Sequence, residues 1–295
     1  MKRTLLLSLA ALGTVALAAQ TERILSFSQG SSFAGNLRTG PYTYTGSAGK
    51  PVTAKVSNLN ISAPRAVLAA PAGMPILQAQ GQRTADFSGG VTVTRNRLSA
   101  KGPSLTYAEA SGFGTLKGGA SAVYAPEEKD GDPVDITADN MGFDVDTNTS
   151  KSSGNVKLVT GTQTGTSTNL TFDENRDLGL LTGNVQMNRA PKGKQKALSI
   201  TGTEARVLTK TKLLYVRGGV KLISGDTTTT GDAMYYDDKK DTAVIVGSPA
   251  KSVNARQGTT VSAGTIEQRT DIGRVRQLSG GYKIPVDQFK LTTEK

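Results

Sequence analysis

The chain has 295 residues and a formal net charge of +11, and it contains no cysteine, histidine or tryptophan. The absence of cysteine and histidine excludes disulfides, ordinary zinc sites, and catalysis by Ser-His-Asp or Cys-His groups. The basic balance favours contact with phosphates or with anionic lipid surfaces.

The first 18 residues have the pattern of a secretory signal peptide. Lys2 and Arg3 precede an apolar stretch over 5–17, and residues 16–18 form a small-x-small cleavage site. No later run approaches the roughly 18 apolar residues that a membrane-spanning helix needs. We therefore expect export, with the mature protein outside the cytoplasm, and we do not expect nucleic acid as a partner.

After this leader the sequence alternates polar and apolar residues with a period of two, which predicts a nearly all-β protein. A motif of apolar residue, x, glycine, small residue recurs along the chain. Its leading glycines are Gly89, Gly118, Gly154, Gly183, Gly218, Gly247 and Gly280. The steps between them are 29, 36, 29, 35, 29 and 33 residues, so pairs of units repeat every 62 to 65 residues. A period of this size indicates a repeat architecture.

The alternation keeps its phase through the glycine of the motif. In the stretch 180–188, Leu181, Gly183, Val185 and Met187 all fall on one face. A two-residue hairpin turn at Gly183-Asn184 is one alternative. Unbroken phase instead favours one strand that bends at its glycine and passes into a second, facing sheet.

Two regions interrupt the repeat. Residues 62–76 contain three prolines among alanines and are predicted to form an inserted loop. Residues 125–133, APEEKDGDP, are acidic with a proline near each end and are predicted to form a domain boundary. We therefore expect an N-terminal β-lobe over 20–125, a C-terminal β-lobe over 133–287, and a tail over 288–295.

Two acidic segments, 144–148 and 173–177, resemble the start of calcium-binding loops. Both lack glycine at the sixth position and glutamate at the twelfth, so we predict ordinary turns. The other carboxylates are scattered among turns, and the sequence brings no pair of them face to face. We expect no catalytic residue, no metal and no cofactor, and therefore no enzyme.

The C-terminal lobe resembles the LptA/OstA-like family of periplasmic lipopolysaccharide-transport proteins over about 130–285. The N-terminal lobe fits the family more loosely, through Gly35-Asn36 and Gly89-Gly-Val91. The segments that carry the resemblance are DITADNMGFD at 135–144, Gly154-Asn-Val156, Gly183-Asn-Val185, GDAMYYD at 231–237 and VGSPA at 246–250.

This resemblance implies a folded-over antiparallel β-jellyroll or β-solenoid with two facing sheets, open at both ends, preceded here by the signal peptide. It implies a non-enzymatic carrier that holds lipopolysaccharide, or another anionic glycolipid or phospholipid, by its acyl chains. It also implies contact with like-fold modules of inner-membrane and outer-membrane transport proteins, and end-to-end assembly of copies. The chain has the length of two such modules fused.

The inward positions of the motif are the predicted lipid-groove residues. They are Val156, Leu158, Leu170, Phe172, Val185, Met187, Val220 and Leu222. The alternative is that these side chains pack as a closed core, in a structural cell-envelope β-solenoid that carries no lipid. A secreted β-solenoid that acts on polysaccharide is a further alternative.

Lysines recur at the position of opposite parity in alternate units. Lys157, Lys221 and Lys283 are therefore predicted to form an outer column that contacts anionic head groups or a membrane surface. The alternative is a solvated charged face, which also discourages unwanted pairing of strand edges.

Overall fold

The computed structural model describes residues 23–28, 32–191, 193 and 195–294. The predicted leader over 1–18 lies outside these residues. Within them, β-strands dominate and the one helical segment is a 3₁₀ turn at Val286–Phe289, so the all-β prediction is confirmed. Across the same ranges, no helical segment has the length and apolar character needed to cross a bilayer.

The described chain forms nineteen strands, and the described pairings between them are antiparallel. The strands are β1 (Ser26–Ser28), β2 (Ser32–Ala34), β3 (Tyr42–Thr45), β4 (Val52–Val56), β5 (Leu59–Ala63), β6 (Arg65–Ala69), β7 (Thr84–Arg95), β8 (Leu98–Ala108), β9 (Phe113–Tyr124), β10 (Val134–Asp144), β11 (Thr149–Thr160), β12 (Gln163–Asp173), β13 (Leu178–Arg189), β14 (Leu198–Leu208), β15 (Leu213–Ser224), β16 (Thr227–Asp237), β17 (Thr242–Asn254), β18 (Thr259–Arg269) and β19 (Arg274–Gln277).

These strands divide into two compact units. The first unit contains the described residues up to Gly118 together with Phe143–Asp146. The second unit contains Gly119–Gly142 and the described residues from Thr147 onward. The strands β9 and β10 therefore each contribute residues to both units.

In the first unit, β7 pairs with β8 on one side and with two shorter strands on the other. Pro64 lies between these short strands, β5 and β6, and its Cγ is 3.2 Å from where a Cβ on Gly89 would sit. The predicted loop over 62–76 is therefore wrong in its first part, because Arg65–Ala69 form β6. Proline is tolerated here because it stands between two strands, where no ladder hydrogen bond is required of it.

A buried ion pair holds the strand ends of the first unit together. Glu109 is fully buried and accepts hydrogen bonds from the backbone N–H groups of Leu25 and Gly81, each at 2.9 Å. Its carboxylate also accepts from Nε of Arg83 at 2.9 Å and from a terminal guanidinium nitrogen of Arg83 at 2.6 Å. These bonds offset the cost of removing both charges from water.

In the second unit, β13 shows how a strand bends. Its pairing with β14 holds over 178–182, is interrupted at Gly183 and Asn184, and resumes at Val185. Gly183 and Asn184 have φ angles of 77° and 51°, and they insert one extra residue as a β-bulge. Because β13 continues through the bulge as one strand, the predicted bend is confirmed and the hairpin alternative is wrong.

The two bend positions have different steric surroundings. At the first position, a Cβ would collide with a side chain of the preceding strand, so only glycine fits. These pairs are Gly154 with Asp139, Gly183 with Thr168, and Gly218 with Thr203. At the second position the left-handed backbone remains, but a Cβ on Gly219 would meet nothing within 4 Å. Asparagine tolerates this backbone conformation, which explains why the motif reads Gly-Asn or Gly-Gly.

The bends divide the second unit into two half-sheets. In β13, half-sheet A is 178–182 and half-sheet B is 185–189, and the other strands divide at the same level. A Cβ on Gly179 of half-sheet A would lie 3.6 Å from Cδ1 of Leu158 in half-sheet B. The half-sheets therefore face each other, and the predicted folded-over arrangement is confirmed.

The outer side of half-sheet A is covered by the C-terminal strap, which we define as 284–294. Phe289 of the strap is fully buried, and its ring centroid lies 5.9 Å from that of Tyr215. Arg206 donates a hydrogen bond to the carbonyl of Phe289 at 2.9 Å and binds the carboxylate of Glu294. The outward apolar side chains beneath the strap are Leu178, Leu180, Leu208, Leu213, Tyr215 and Tyr235. The strap includes most of the predicted tail over 288–295.

Candidate functional site: the interior of the second unit

The structure brings all eight predicted groove residues into the space between the half-sheets. Each of them is at most 5% exposed. In half-sheet B, the strand register aligns Leu158, Gly165, Met187, Ile200 and Leu222 in one inward row. Leu170 and Phe172 project into the same space from half-sheet A, because they lie on the inner face of β12.

A second inward row lies in half-sheet A, and of its members only Leu170 was predicted to be a groove residue. Its members are Leu170, Leu181, Ala205, Val216, Met234, Ile245 and Ile266, and each is at most 1% exposed. The row crosses seven strands, or about 29 Å at a strand spacing of about 4.8 Å. Leu181, Val216 and Ile245 are the apolar residues that open the glycine motif, so the motif itself could have identified them. The alternation of the return strands could have identified Ala205, Met234 and Ile266.

The interior becomes polar towards β18. Thr229 and Ser252 continue the row of Leu222 in half-sheet B. The Thr229 hydroxyl lies 2.6 Å from Oε1 of Gln268 in half-sheet A and 2.8 Å from the Ser252 hydroxyl. Nε2 of Gln268 is buried and has no hydrogen-bond partner among the described residues. The apolar part of the interior therefore ends between β15 and β16 at this level.

A charged cluster closes the mouth of the interior, on the side opposite the bends. Arg189, the last residue of β13 in half-sheet B, donates hydrogen bonds to Asp238 at 2.7 Å and to Asp241 at 2.8 Å. It also donates to the hydroxyl of Tyr236 at 2.5 Å. We call these four residues the Arg189 cluster. Because its acceptors lie at or just after the end of β16 in half-sheet A, the cluster joins the two half-sheets.

The electrostatics of this cluster follow from its burial. Burial opposes the charge of Arg189, but the hydrogen bonds to Asp238 and Asp241 outweigh it and hold the pKa of Arg189 above its ordinary value. Burial likewise raises the pKa of Tyr236, so its hydroxyl stays protonated at neutral pH. The Arg189 side chain is only 2% exposed, yet its Nε has no hydrogen-bond partner among the described residues. One strong donor of the cluster is therefore unused.

A cavity of about 20 Å³ lies beside the Arg189 cluster. It has room for about one water molecule. The interior is therefore filled by its own side chains, and an acyl chain could enter only if the half-sheets separated. The residues that line the cavity are Gln163, Met187, Asn188, Arg189, Leu198, Ile200, Val207, Lys212, Leu213, Leu214, Tyr236 and Asp238.

The predicted lysine column is only partly aligned. Lys157 and Lys221 are exposed and lie in one outward row of half-sheet B, joined by Thr166, Gln186 and Thr201. The same row continues through Thr230 to Lys251, which the motif spacing did not identify. Lys283 does not belong to the row, because β19 ends at Gln277 and the chain then leaves the sheet.

Both acidic segments form the predicted turns. Oδ1 of Asp173 accepts a hydrogen bond from the backbone N–H of Asn175 at 3.1 Å, and Oδ1 of Asp144 accepts one from Asp146 at 2.9 Å. The second oxygen of Asp173 accepts from the N–H of Thr292, in the strap, at 2.7 Å. No group of three or more carboxylates suited to a metal ion occurs in the described part of the chain.

The protein is an all-β protein with a folded-over antiparallel sheet. Its strands bend at stacked glycines, and apolar side chains fill the space between its two half-sheets. Residues 173–248, which include the whole Arg189 cluster, match the family described as "Lipopolysaccharide-assembly, LptC-related". This match confirms the predicted resemblance to the LptA/OstA-like lipopolysaccharide-transport family.

The chain is also similar to a solved structure. The structure is that of LptH from Pseudomonas aeruginosa, described as the LptA homologous periplasmic component of the lipopolysaccharide transport device. It aligns with a TM-score of 0.38 and 15% sequence identity, covering 47% of this chain and 98% of that chain. No match was found among curated proteins.

Proposed function

We propose that this protein is a non-enzymatic carrier of lipopolysaccharide, or of another anionic envelope lipid, in the periplasm. The observation that carries the proposal is the continuous apolar row on the inner face of half-sheet A, about 29 Å across seven strands. The lipopolysaccharide-assembly family that matches 173–248 supports the class of cargo.

The physical basis of carriage is burial of acyl chains in that interior. Each methylene removed from water contributes about 0.8 kcal/mol, so a dozen carbons could gain on the order of 10 kcal/mol. Part of this gain is offset by the cost of separating the packed half-sheets and of ordering the chain. Because similar side chains recur on successive strands, a lipid could move along the interior without entering one deep energy minimum.

A second candidate function is a structural envelope protein with a filled core. The small volume of the cavity, about 20 Å³, favours this candidate. A carrier must open its interior, whereas a structural protein keeps it closed. The two candidates therefore differ in whether lipid reaches the inward row in living cells.

Photo-crosslinking distinguishes these candidates, with a control on the same strand. A photoreactive side chain at Leu222 points inward, whereas one at the next residue, Ile223, points outward and is 37% exposed. The carrier predicts lipid adducts at Leu222, and at Phe172 of half-sheet A, without adducts at Ile223. Absence of adducts at both inward positions in cells, with expression unchanged, would favour the structural protein.

We further propose that partners of like fold pair with the edge of β18 that is left unpaired among the described strands. Its residues 259–263 pair with β17 on one side, and β19 covers only the part of β18 from Ile266 onward. Extended segments add readily to such edges. An inward-pointing charge blocks edge pairing, so Val261→Lys should reduce cross-linking to partner modules or to other copies. Ser262→Lys, one residue further along and pointing outward, is the control and should leave cross-linking intact.

A further inference from the structure

We propose that the Arg189 cluster is a latch and a head-group site: an anionic group of a bound amphiphile replaces Asp238 and Asp241 as the partner of Arg189. This inference rests on the proposed carrier function and deepens it. It names the residue that receives the polar end of the cargo and the charge that this end must carry.

The first argument is the unsatisfied donor at Arg189. A buried guanidinium is normally surrounded by acceptors, because an unused buried donor costs free energy. Here one terminal nitrogen serves Asp238, Asp241 and Tyr236, and the other donates to the carbonyl of Lys196 at 2.9 Å. Nε remains buried without a partner among the described residues. An additional acceptor oxygen would complete the site.

The second argument is the cavity beside this donor. Its walls are mostly apolar and come from both half-sheets, including Met187, Leu198, Ile200 and Leu214. The charged groups that line the cavity are Arg189, Lys212 and Asp238. Lys212 is paired with Asp132 at 2.9 Å, so Arg189 is the cation whose buried Nε has no partner among the described residues. A ligand with an acidic oxygen at its head and a hydrocarbon tail therefore matches the cavity better than a wholly polar or a wholly apolar molecule does.

The third argument is the position of the cluster between the half-sheets. The two carboxylates belong to the turn after β16, whereas Arg189 ends β13, so their ion pairs resist separation at the mouth. A phosphate or carboxylate head that binds Arg189 compensates its charge when these pairs break. Entry of an anionic lipid and release of the latch are thus one exchange of hydrogen-bond acceptors: the head group replaces the two carboxylates, and Arg189 keeps an anionic partner.

The test compares three probes on the full chain by calorimetry below the critical micelle concentration. They are lauroyl glycerol phosphate, lauroyl glycerol, which lacks only the phosphate, and inorganic phosphate. The wild type should bind the first probe about tenfold or more tighter than the second, because a hydrogen bond to a charged group is strong. Inorganic phosphate, which has no tail, should bind more weakly than either. Equal or tighter binding of inorganic phosphate would instead identify a free-anion site.

Three variants separate the latch from general effects on folding. Arg189→Met should abolish the preference for the phosphate-bearing probe. It should not weaken binding of lauroyl glycerol, because it also removes the ion pairs that hold the mouth closed. The double variant Asp238→Asn with Asp241→Asn keeps the guanidinium but removes its competitors, so it should bind lauroyl glycerol phosphate about tenfold tighter than the wild type. Arg217→Met is the matched control, because Arg217 is 55% exposed on the outer side of half-sheet A, and it should change neither affinity.

The outcomes distinguish this inference from the function on which it rests. If both lauroyl probes bind equally well in the wild type and in these variants, the latch is refuted and the carrier function stands. If neither lauroyl probe binds, both are refuted. If Arg189→Met fails to fold, the double variant still decides, because unchanged or weaker binding of the phosphate-bearing probe there overturns the inference.

Discussion

Replacing Gly218 by alanine should destabilise the second unit much more than replacing its neighbour Gly219. Both residues have positive φ angles, 83° and 67°, so alanine at either place costs about 1–2 kcal/mol of backbone strain. Only at Gly218 would the new Cβ meet the preceding strand, 3.0 Å from Cβ of Thr203 and against its hydroxyl. Overpacking of this kind adds about 1–3 kcal/mol, for a total of about 2–5 kcal/mol.

The measurement is urea unfolding followed by far-ultraviolet circular dichroism, with the midpoint and slope compared among variants. Gly219→Asn should be nearly neutral, because Asn155 and Asn184 hold the same bend position with φ angles of 47° and 51°. Adding Thr203→Ala to Gly218→Ala should recover about 1 kcal/mol as a favourable coupling. Equal destabilisation by alanine at both glycines would refute the steric explanation of the motif.

Three further predictions concern the strap and the first unit. Phe289→Ala removes a fully buried ring, should cost about 3–5 kcal/mol, and should make the strap sensitive to limited proteolysis. Val286→Ala changes an exposed position and should leave the strap resistant. Equal resistance of both variants would contradict the packing of Phe289 on half-sheet A. The hydrogen bond from Arg206 lowers the pKa of Glu294 below its ordinary value of 4.5. The stabilisation by the ionised Glu294 carboxylate is therefore complete above the unfolded pKa and is lost as the pH falls through the lowered folded pKa. Hydrogen exchange of the strap should rise in that pH range. In Glu294→Gln, which has no carboxylate at this position, exchange should not show this step. Glu109→Ala leaves a buried arginine without its partner and should cost about 3–5 kcal/mol in thermal unfolding; a loss under 1 kcal/mol would argue against that role.

The bends were predictable because glycine reports a local steric requirement. The sequence of one strand is enough to predict that Leu181, Val185 and Met187 share a face across Gly183, since alternation is a property of a single strand. The lysine row was harder to predict. Lys251 enters it through the register of β17, which is shifted at 247–249, and Lys283 leaves it because the sheet has ended.

The strap and the Arg189 cluster depended on contacts between distant parts of the chain. Residues 178–181, LGLL, are apolar at both parities, which is the pattern of a strand covered on both faces. That pattern indicates a cover but does not say that Phe289 supplies it. Arg189 likewise occupies an ordinary inward position of β13, and only the fold brings it to Asp238 and Asp241, 49 and 52 residues away.

At Gly154, Gly183 and Gly218 the bulge brings a glycine against one side chain of the strand before it, so these bends are specified within each pair of neighbouring strands. A duplicated pair of strands would carry its own bend with it and would lengthen the sheet by roughly 10 Å, at about 4.8 Å per strand. Natural variants with longer or shorter sheets could therefore arise by tandem duplication of strand pairs, without any compensating change elsewhere in the polypeptide.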